Sequence, residues 1–334
     1  MPDDSQPIHA ALSAAGLLAP GETPRITPLA GGVSCDVFRV DLAQGPVCAK
    51  RALAQLRVKD TWEAPVERLD SEVGWLRIAA ETGLNVPEVI AHQPGQNLFV
   101  MGFLDPAQHP VWKAELAAGR IDAAFAARVG RDVARVHGAT HGQSDIAARF
   151  ETLDQFRALR IEPYLLHTAC RHPDLAPVLH GLAERTAVAQ AALVHGDISP
   201  KNILCGPKGP VFIDAECAWF GEPAFDPAFC LTMLMLKCVW KPQWAAQYVA
   251  AFKALAEAYL SGVTWEPREA IARRIALYVA AFLLARVDGK SPAEYLVSDA
   301  DRELVRSGAR ALLFDPPSAP HLLADFWLQH TGRQ

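Results

Sequence analysis

The stretch Leu193-Val-His-Gly-Asp-Ile-Ser-Pro-Lys-Asn-Ile-Leu204, followed by Val211-Phe-Ile-Asp-Ala-Glu216, decides the fold of this chain. It places a carboxylate, Asp197, and an amide, Asn202, five residues apart in a polar loop. A second carboxylate, Asp214, follows a short apolar segment that predicts a β-strand. Side-chain oxygens of this kind are the ligands that Mg²⁺ prefers.

Phosphoryl transfer from a nucleotide uses these three groups, because a carboxylate orients the attacking hydroxyl while an amide and a carboxylate hold Mg²⁺. We therefore predict Asp197 as the catalytic base and Asn202 and Asp214 as metal ligands. Glu216 lies on the same side of an extended segment as Asp214, since side chains alternate. It is a candidate ligand for a second metal ion, and an exposed loop glutamate explains it equally well.

The composition is that of an ordinary globular protein, with 334 residues, 51% of them hydrophobic and 21% charged. A net charge of −5 gives no electrostatic reason to expect a nucleic-acid or membrane partner. The acidic start, Met-Pro-Asp-Asp, lacks the order of a signal peptide. The seven cysteines are scattered without a C-x-x-C pair, so we expect a reducing, cytoplasmic environment and no zinc site.

The first hundred residues predict three strands, one helix and two further strands. The strand segments are short, rich in β-branched residues and separated by turns. The helix carries Leu69, Val73 and Leu76 on one face and ends before Gly83. The predicted strands are 26–29, 36–40, 46–50, 89–92 and 98–102, and the predicted helix is 67–82.

Helical patterns predominate from Asp105 onward, with interruptions at Pro163 and Pro173. A pair of short strands surrounds the polar loop of the opening stretch. The predicted helices are 123–137, 153–170, 175–193, 224–239, 242–260, 267–286 and 299–313, and the strand pair is 202–205 and 211–214. This change of character predicts a boundary between two parts of the chain at 102–106.

The loop from His195 to Asn202 resembles the kinase catalytic loop, which spaces its Asp and Asn in the same way. With His-Gly-Asp in place of His-Arg-Asp, and Ile213-Asp214 in place of Asp-Phe-Gly, it is similar to the aminoglycoside phosphotransferase and choline kinase family. The resemblance implies an α+β, two-lobed protein-kinase-like fold. It implies an N-lobe at 1–103, with a small sheet and one helix, and a mostly helical C-lobe at 104–334.

The resemblance also implies a nucleotide site in the N-lobe. Lys50 would neutralise the nucleotide phosphates and Glu72 would be its helix partner, although a solvated lysine and a helix-face glutamate are the plain alternatives. Gly31, Gly32 and Ser34 would form a turn that covers the phosphates, and the same sequence is also an ordinary hairpin. The residues Met101 and Phe103 would belong to the hinge beside the base.

Two more positions match the family and are expected to be structural. His195 would organise the loop by hydrogen bonding. Asp226 resembles an element that caps a helix and ties down the catalytic loop, and Pro227 behind an Asp N-cap supports this. Ser199 departs from the family, which often has His at this position.

The acceptor is not identified by the motifs. A polycationic aminoglycoside would require an acid-rich face. Residues 105–194 hold ten acidic and ten basic residues, and residues 231–334 hold ten acidic and twelve basic ones, so neither segment is acidic. The turn from Arg286 to Tyr295 is either structural or an acceptor-contacting loop for a hydroxylated small molecule, neutral or anionic.

The sequence thus predicts an ATP-dependent phosphotransferase that acts on a hydroxyl of a small molecule, with Mg²⁺. The alternative is a catalytically idle nucleotide-binding module that regulates a partner. A metal-dependent hydrolase that uses His195, Asp197 and Asp214 would need more histidines at ligand spacing than the chain contains. The choice between ATP and GTP and the oligomeric state stay open.

Overall fold

A computed structural model describes residues 5–29, 34–53, 55, 66–92 and 97–332. The N-terminal part is a five-stranded antiparallel sheet in the order β1-β2-β3-β5-β4, with one helix on each face. The elements are α1 (Ser5–Ala14), β1 (Arg25–Pro28), β2 (Cys35–Leu42), β3 (Gly45–Ala52), α2 (Arg68–Glu81), β4 (Val89–His92) and β5 (Leu98–Gly102). The predicted strands and the predicted helix of this part are confirmed, and α1 was not predicted.

Alternation of side chains gives the sheet two different faces. Phe38, Val40 and Val47 pack with Ile8 and Leu12 of α1 in a small core of their own. On the other face, residues such as Cys48 and Phe99 join α2 in the main core of the protein. Lys50 shares the parity of Cys48, so it lies on the face that α2 covers.

The rest of the chain is mostly helical and contains two small two-stranded sheets, β6 with β9 and β7 with β8. A 3₁₀ turn at Pro242–Trp244 precedes α10. The elements are α3 (Trp112–Ala117), α4 (Ala123–Thr140), α5 (Ser144–Arg149), α6 (Leu153–Phe156), α7 (His167–Arg171), α8 (Ala176–Val188), β6 (Ala192–Val194), β7 (Ile203–Gly206), β8 (Gly209–Phe212), β9 (Trp219–Gly221), α9 (Phe225–Trp240), α10 (Ala245–Gly262), α11 (Arg268–Asp288), α12 (Asp299–Phe314) and α13 (Pro320–Thr331).

Two of the differences from the sequence prediction have a clear physical cause. The helix predicted to continue to Leu193 ends at Val188, because Ala192–Val194 pairs with Trp219–Gly221 as a strand. Pro163 does not break its helix. It lies within a π-helical segment, Arg157–Leu166, that joins α6 to α7, and the wider π-helical turn accommodates a residue that an α-helix does not.

The C-terminal helices enclose an apolar core. An aromatic cluster at its centre joins α9 to α11 through Phe225, Phe229, Tyr278 and Phe282, all of them almost fully buried. Along the described ranges, no helix combines the length and the apolar character that crossing a bilayer requires.

The contact between α4 and α10 depends on a glycine, and this generates a stability prediction. A Cβ built on Gly130 would overlap the carbonyl of Leu255. Gly130→Ala should therefore push the helices apart and lower the free energy of unfolding by about 1–3 kcal/mol, as measured by urea denaturation.

Gly181→Ala is the matched control, because Gly181 lies in α8 with no heavy atom within 4 Å of the added Cβ. This substitution should raise the free energy of unfolding by about 0.4–1 kcal/mol, since alanine restricts the unfolded chain. Equal effects at the two positions would show that the α4–α10 contact does not require glycine.

Candidate active site

The ammonium group of Lys50 joins three elements of the fold. Its Nζ lies 2.6 and 2.9 Å from the two carboxylate oxygens of Glu72 on α2, and 2.5 Å from Oδ1 of Asp214. Lys50 and Glu72 are almost completely buried, whereas the side chain of Asp214 is 24% exposed. One buried cation thus holds a strand and a helix of the N-terminal part against a carboxylate of the C-terminal part.

The ionisable groups of this cluster shift one another's pKa values. Burial raises the pKa of Glu72 to about 7, against the opposing effect of Lys50. Burial has the same upward effect on Asp214, but Lys50 and Lys201 outweigh it and hold the pKa of Asp214 well below its usual range. The two carboxylates therefore differ, because Asp214 stays ionised at neutral pH while Glu72 does not stay fully ionised.

Asp214 lies two residues beyond β8 rather than at the strand end, and its backbone is unusual. Its φ of 67° places it in the left-handed region, and among the described residues other than glycine it alone has a positive φ. An ordinary side chain is strained there. The preceding Ile213 donates its N–H to Asn202 O at 3.1 Å and accepts from His195 at its own carbonyl. The polar loop thus holds Ile213, directly before Asp214, through both its N–H and its carbonyl.

Asp197 is buried and paired with two cations. Its Oδ2 lies 2.9 Å from Arg160 Nη2 and 3.0 Å from Lys201 Nζ. Burial alone would raise the pKa of Asp197, but Lys201 and Arg160 outweigh it and lower the pKa overall. Arg160 also donates to the carbonyl of Gly196 at 2.6 Å, so it fixes both the loop and the carboxylate.

Asn202 closes the loop onto Asp197. Its backbone N–H donates to Ser199 O at 2.8 Å, and its side-chain nitrogen donates to the Asp197 carbonyl at 3.1 Å. This use of the amide nitrogen leaves the Asn202 side-chain oxygen as the donor atom for a cation.

Asp226 anchors the polar loop through backbone hydrogen bonds. Its carboxylate accepts the N–H of His195 at 2.8 Å and the N–H of Gly196 at 2.9 Å, and it contacts His137 Nε2 at 3.2 Å. The prediction that it ties down the loop is confirmed. The helix-cap prediction is wrong, because α9 begins at Phe225 and both carboxylate oxygens of Asp226 accept hydrogen bonds from the loop instead.

His195 is a satisfied buried histidine, as predicted. Its Nδ1 accepts the N–H of Asp197 at 3.2 Å, so its Nε2 carries the proton and donates to Ile213 O at 3.1 Å. Burial lowers its pKa, which keeps this neutral tautomer in place.

Glu216 has a protein partner of its own. Its Oε2 accepts from Arg68 Nε at 2.8 Å, and Arg68, which is fully buried, also donates to the carbonyls of Ser34 and Leu53. Arg68 therefore connects the two ends of the β2–β3 region to the segment after Asp214. A metal-binding role for Glu216 stays a prediction, and it would share the carboxylate with Arg68.

Three of the five remaining residues that were predicted to bind the nucleotide lie within the described part of the chain. Gly31 and Gly32 lie outside the described residues. Ser34 is buried and lines the same cavity as Asp197 and Asp214. Met101 lies in β5 opposite Cys48 of β3. Phe103 follows that strand and has the Arg39 guanidinium 4.8 Å from its ring centre.

The catalytic-loop residues open into a cavity of about 320 Å³. Asp197, Asp214 and Glu216 line one side of it. Further along, it is bounded by α3, α9, the last turn of α11 and the segment that follows it. The three helices contribute Lys113, Lys237 and Arg286. A volume at the low end of the range for ligand sites indicates a small molecule.

The sequence analysis missed four cations of this site: Arg68, Arg160, Lys201 and Lys237. Lys201 had a usable signal, since it lies four residues after Asp197 in the opening stretch. Arg160 had none, because it comes from a π-helical segment 37 residues upstream. Pairings of this length appear only in the folded chain.

The model of the phosphotransferase enzyme family, APH, matches residues 25–270, which is most of the chain. The chain therefore belongs to this family. Methylthioribose kinase from Cronobacter sakazakii (strain ATCC BAA-894) is 26% identical over 249 residues, which cover 66% of this chain. The chain spans 62% of the length of that relative.

Solved structures show the same fold. A choline/ethanolamine kinase family protein from Mesorhizobium loti gives a TM-score of 0.54 at 18% identity, over 98% of this chain and 99% of that one. An amicoumacin kinase in complex with AMP-PNP, Ca²⁺ and Ami gives a TM-score of 0.60 at 15% identity, over 95% and 96%. The predicted two-lobed, protein-kinase-like α+β fold is confirmed, while the lobe boundary at 103/104 stays a prediction.

The anchor at Asp226 generates a prediction. Asp226→Asn removes the charge and replaces one of the two accepting oxygens with an NH₂ group, which leaves one of the two N–H donors without an acceptor. It should lower the free energy of unfolding by about 1–3 kcal/mol, and the amides of His195 and Gly196 should exchange hydrogen faster. Asp122→Asn serves as the control, since Asp122 caps α4 through Ala124 N–H and asparagine caps equally well. Unchanged exchange at Gly196 would contradict the anchoring role.

Proposed function

We propose that the protein is an ATP-dependent phosphotransferase that moves the γ-phosphate to a hydroxyl of a small molecule. The observation that carries the proposal is the Lys50 bridge to Glu72 and Asp214, at 2.5–2.9 Å, because Asp214 lines the same cavity as Asp197. The family, and the fold shared with a structure that contains AMP-PNP, support the nucleotide assignment.

In this proposal Asp197 accepts a hydrogen bond from the acceptor hydroxyl and orients its oxygen toward the γ-phosphorus. The new P–O bond forms as the bond to the β-phosphate oxygen breaks, and ADP leaves. The hydroxyl proton passes to Asp197 and then to solvent. Because Lys201 and Arg160 lower the pKa of Asp197, this carboxylate is a weak base that takes the proton only late in the transfer.

In this proposal the cationic side chains have different roles. Lys50 faces the nucleotide phosphates in the proposal, and Glu72 keeps its ammonium group in one position. Arg160 is buried behind the loop and holds Asp197. Lys201, whose side chain is 54% exposed, can approach the transferred phosphoryl group while it contacts Asp197.

The donor atoms fit Mg²⁺, since the oxygens of Asn202 and Asp214 are hard ligands and the amide nitrogen of Asn202 is already used. Bound Mg²⁺ would neutralise charge on the nucleotide phosphates. Glu216 is the candidate for a second ion. Gly31, Gly32 and Ser34 would lie over the phosphates, and Met101 and Phe103 beside the base.

The acceptor class is to be found with a panel. Methylthioribose belongs in it because of the relative's activity, together with sugars, amino alcohols, hydroxy acids and aminoglycosides. The charge count of the C-terminal helices disfavours the last of these.

The test of the mechanism is Asp197→Asn, which keeps the shape of the side chain and removes its charge. We expect kcat for phosphoryl transfer to fall about 10²- to 10⁴-fold, while Mg·AMP-PNP binding, measured by calorimetry, is retained. Asp174→Asn is the control, because Asp174 lies in an exposed pair with Arg310. Full activity in Asp197→Asn would refute the assignment, and nucleotide binding without transfer to any acceptor would favour the idle module.

The Glu72 carboxylate gives a pH prediction. Its pKa is raised to about 7, so its charge is present above that pH and is lost as the pH falls through it. Lys50, whose pKa is raised well above its usual value, stays charged. The KM for ATP should therefore rise as the pH falls below about 7, because Lys50 loses one of its two anchors.

Glu72→Gln should raise this KM above pH 7 to the level that the wild-type enzyme reaches at low pH, and so flatten its dependence near pH 7. A Glu72→Gln enzyme that keeps the wild-type pH profile would show that another group is responsible.

A further inference from the structure

We propose that the acceptor carries an oxyanionic group, a carboxylate or a phosphate, which binds Lys237, Arg286 and Tyr295 in the cavity beside the catalytic loop. The proposal rests on the proposed function, since it assigns the charge of the molecule whose hydroxyl meets Asp197. None of these three residues contacts the catalytic carboxylates within hydrogen-bond distance, so they form a cluster of their own.

Lys237 is the centre of the cluster. It lies in the last turn of α9 and is only 2% exposed. Its Nζ has one long hydrogen bond, to Met233 O of its own helix at 3.4 Å, so what it lacks is a counterion. Within the described ranges no carboxylate lies at ion-pair distance from it. A buried ammonium without a counterion is unfavourable unless something else supplies the charge.

Two neighbouring polar atoms are also unpartnered. Arg286 Nε and Tyr295 OH are buried, and neither has a hydrogen-bond partner among the described residues. The rest of the Arg286 guanidinium is held in place, because Nη1 donates to the carbonyl of Ser291 and to its hydroxyl. Buried donors are rarely left unused, so two of them beside a buried lysine without a counterion, all on residues that line one cavity, indicate an acceptor-rich ligand group.

The charges along this side of the cavity are unbalanced. Lys113, Lys237 and Arg286 face a single carboxylate, Glu294. Its side chain is 63% exposed, pairs with Lys113 and reaches Arg286 only at 3.9 Å. On the catalytic side each cation has its carboxylate at 3.0 Å or less. The excess of positive charge is therefore confined to the proposed subsite.

The apolar surroundings of the proposed subsite would strengthen an electrostatic contact between Lys237 and a bound anion. The Tyr295 ring packs on Trp240 at 4.7 Å and lies 5.4 Å from Lys237 Nζ. Burial lowers the pKa of Lys237 to about 8, helped by Lys113 and Arg286 and opposed by Cys230 and Glu294. An anion in this apolar setting would restore the lysine to full charge.

The test uses matched trios of probes that differ in one group: glycerate, glycerol and 3-amino-1,2-propanediol, and gluconate, glucose and glucosamine. Phosphate is tested through glycerol phosphate. Binding to the full-length protein with Mg·AMP-PNP is measured by calorimetry, and turnover by ADP release. We expect an anionic member to bind most tightly at millimolar concentration, and the glycerate and glycerol phosphate arms to distinguish carboxylate from phosphate.

Lys237→Met should raise Kd and KM for the anionic probe about 10- to 100-fold, with KM for ATP unchanged. It should also raise Tm of the free protein, because an unpaired buried charge is removed, whereas loss of a merely structural lysine would lower it. Tyr295→Phe deletes only the hydroxyl and should weaken the anion about tenfold. Lys253→Met, at an exposed pair with Asp325, should change neither quantity.

The proposal is overturned if a neutral or cationic member is preferred, if no anionic probe binds while Mg·AMP-PNP does, or if Lys237→Met keeps the preference for anions. These outcomes leave the proposed phosphotransferase intact. Failure of the wild-type protein to bind Mg·AMP-PNP would overturn both proposals.

Discussion

The arrangement of the two lobes depends on one buried ammonium group. Lys50 donates to two carboxylates, that of Glu72, 22 residues further along the chain, and that of Asp214, 164 residues further along. A single surface ion pair of this kind contributes little, but here desolvated charges must meet or remain uncompensated. Strand β3, helix α2 and the segment after β8 therefore take up one relative position, and the cavity beside Asp197 exists because they do.

The same rule separates two kinds of charge in the site. Arg68, Arg160, Lys50 and Lys201 are each bound to a carboxylate, and these pairs hold the backbone that carries Asp197 and Asp214. Lys237 has no such partner. A cation that is paired with a carboxylate fixes the geometry of the site. A buried cation without a counterion remains available to bind an anion in the cavity.

Local sequence patterns were sufficient for much of the fold. The β4 and β5 boundaries and the α2 helix follow from periodicity and turn residues, and the spacing of Asp197, Asn202 and Asp214 marks the site. Prediction from the sequence was weakest where contacts between distant residues determine the secondary structure or the burial of a side chain. The strand Ala192–Val194 looked helical because its partner, Trp219–Gly221, cannot be recognised locally. Arg160 and Lys237 looked like ordinary helix cations, because their burial is a property of the packed helices.

Asp214 shows what such a site demands of the chain. Its φ of 67° is one that glycine adopts freely, and an aspartate there is strained by about 1–3 kcal/mol. Selection for folding alone would therefore favour glycine at this position. The aspartate persists at the expense of stability, so the conformation that aims its carboxylate at Lys50 is maintained by the hydrogen bonds of its neighbours. The proposed metal ligand is thus also a residue whose backbone conformation the rest of the fold must maintain against its own preference.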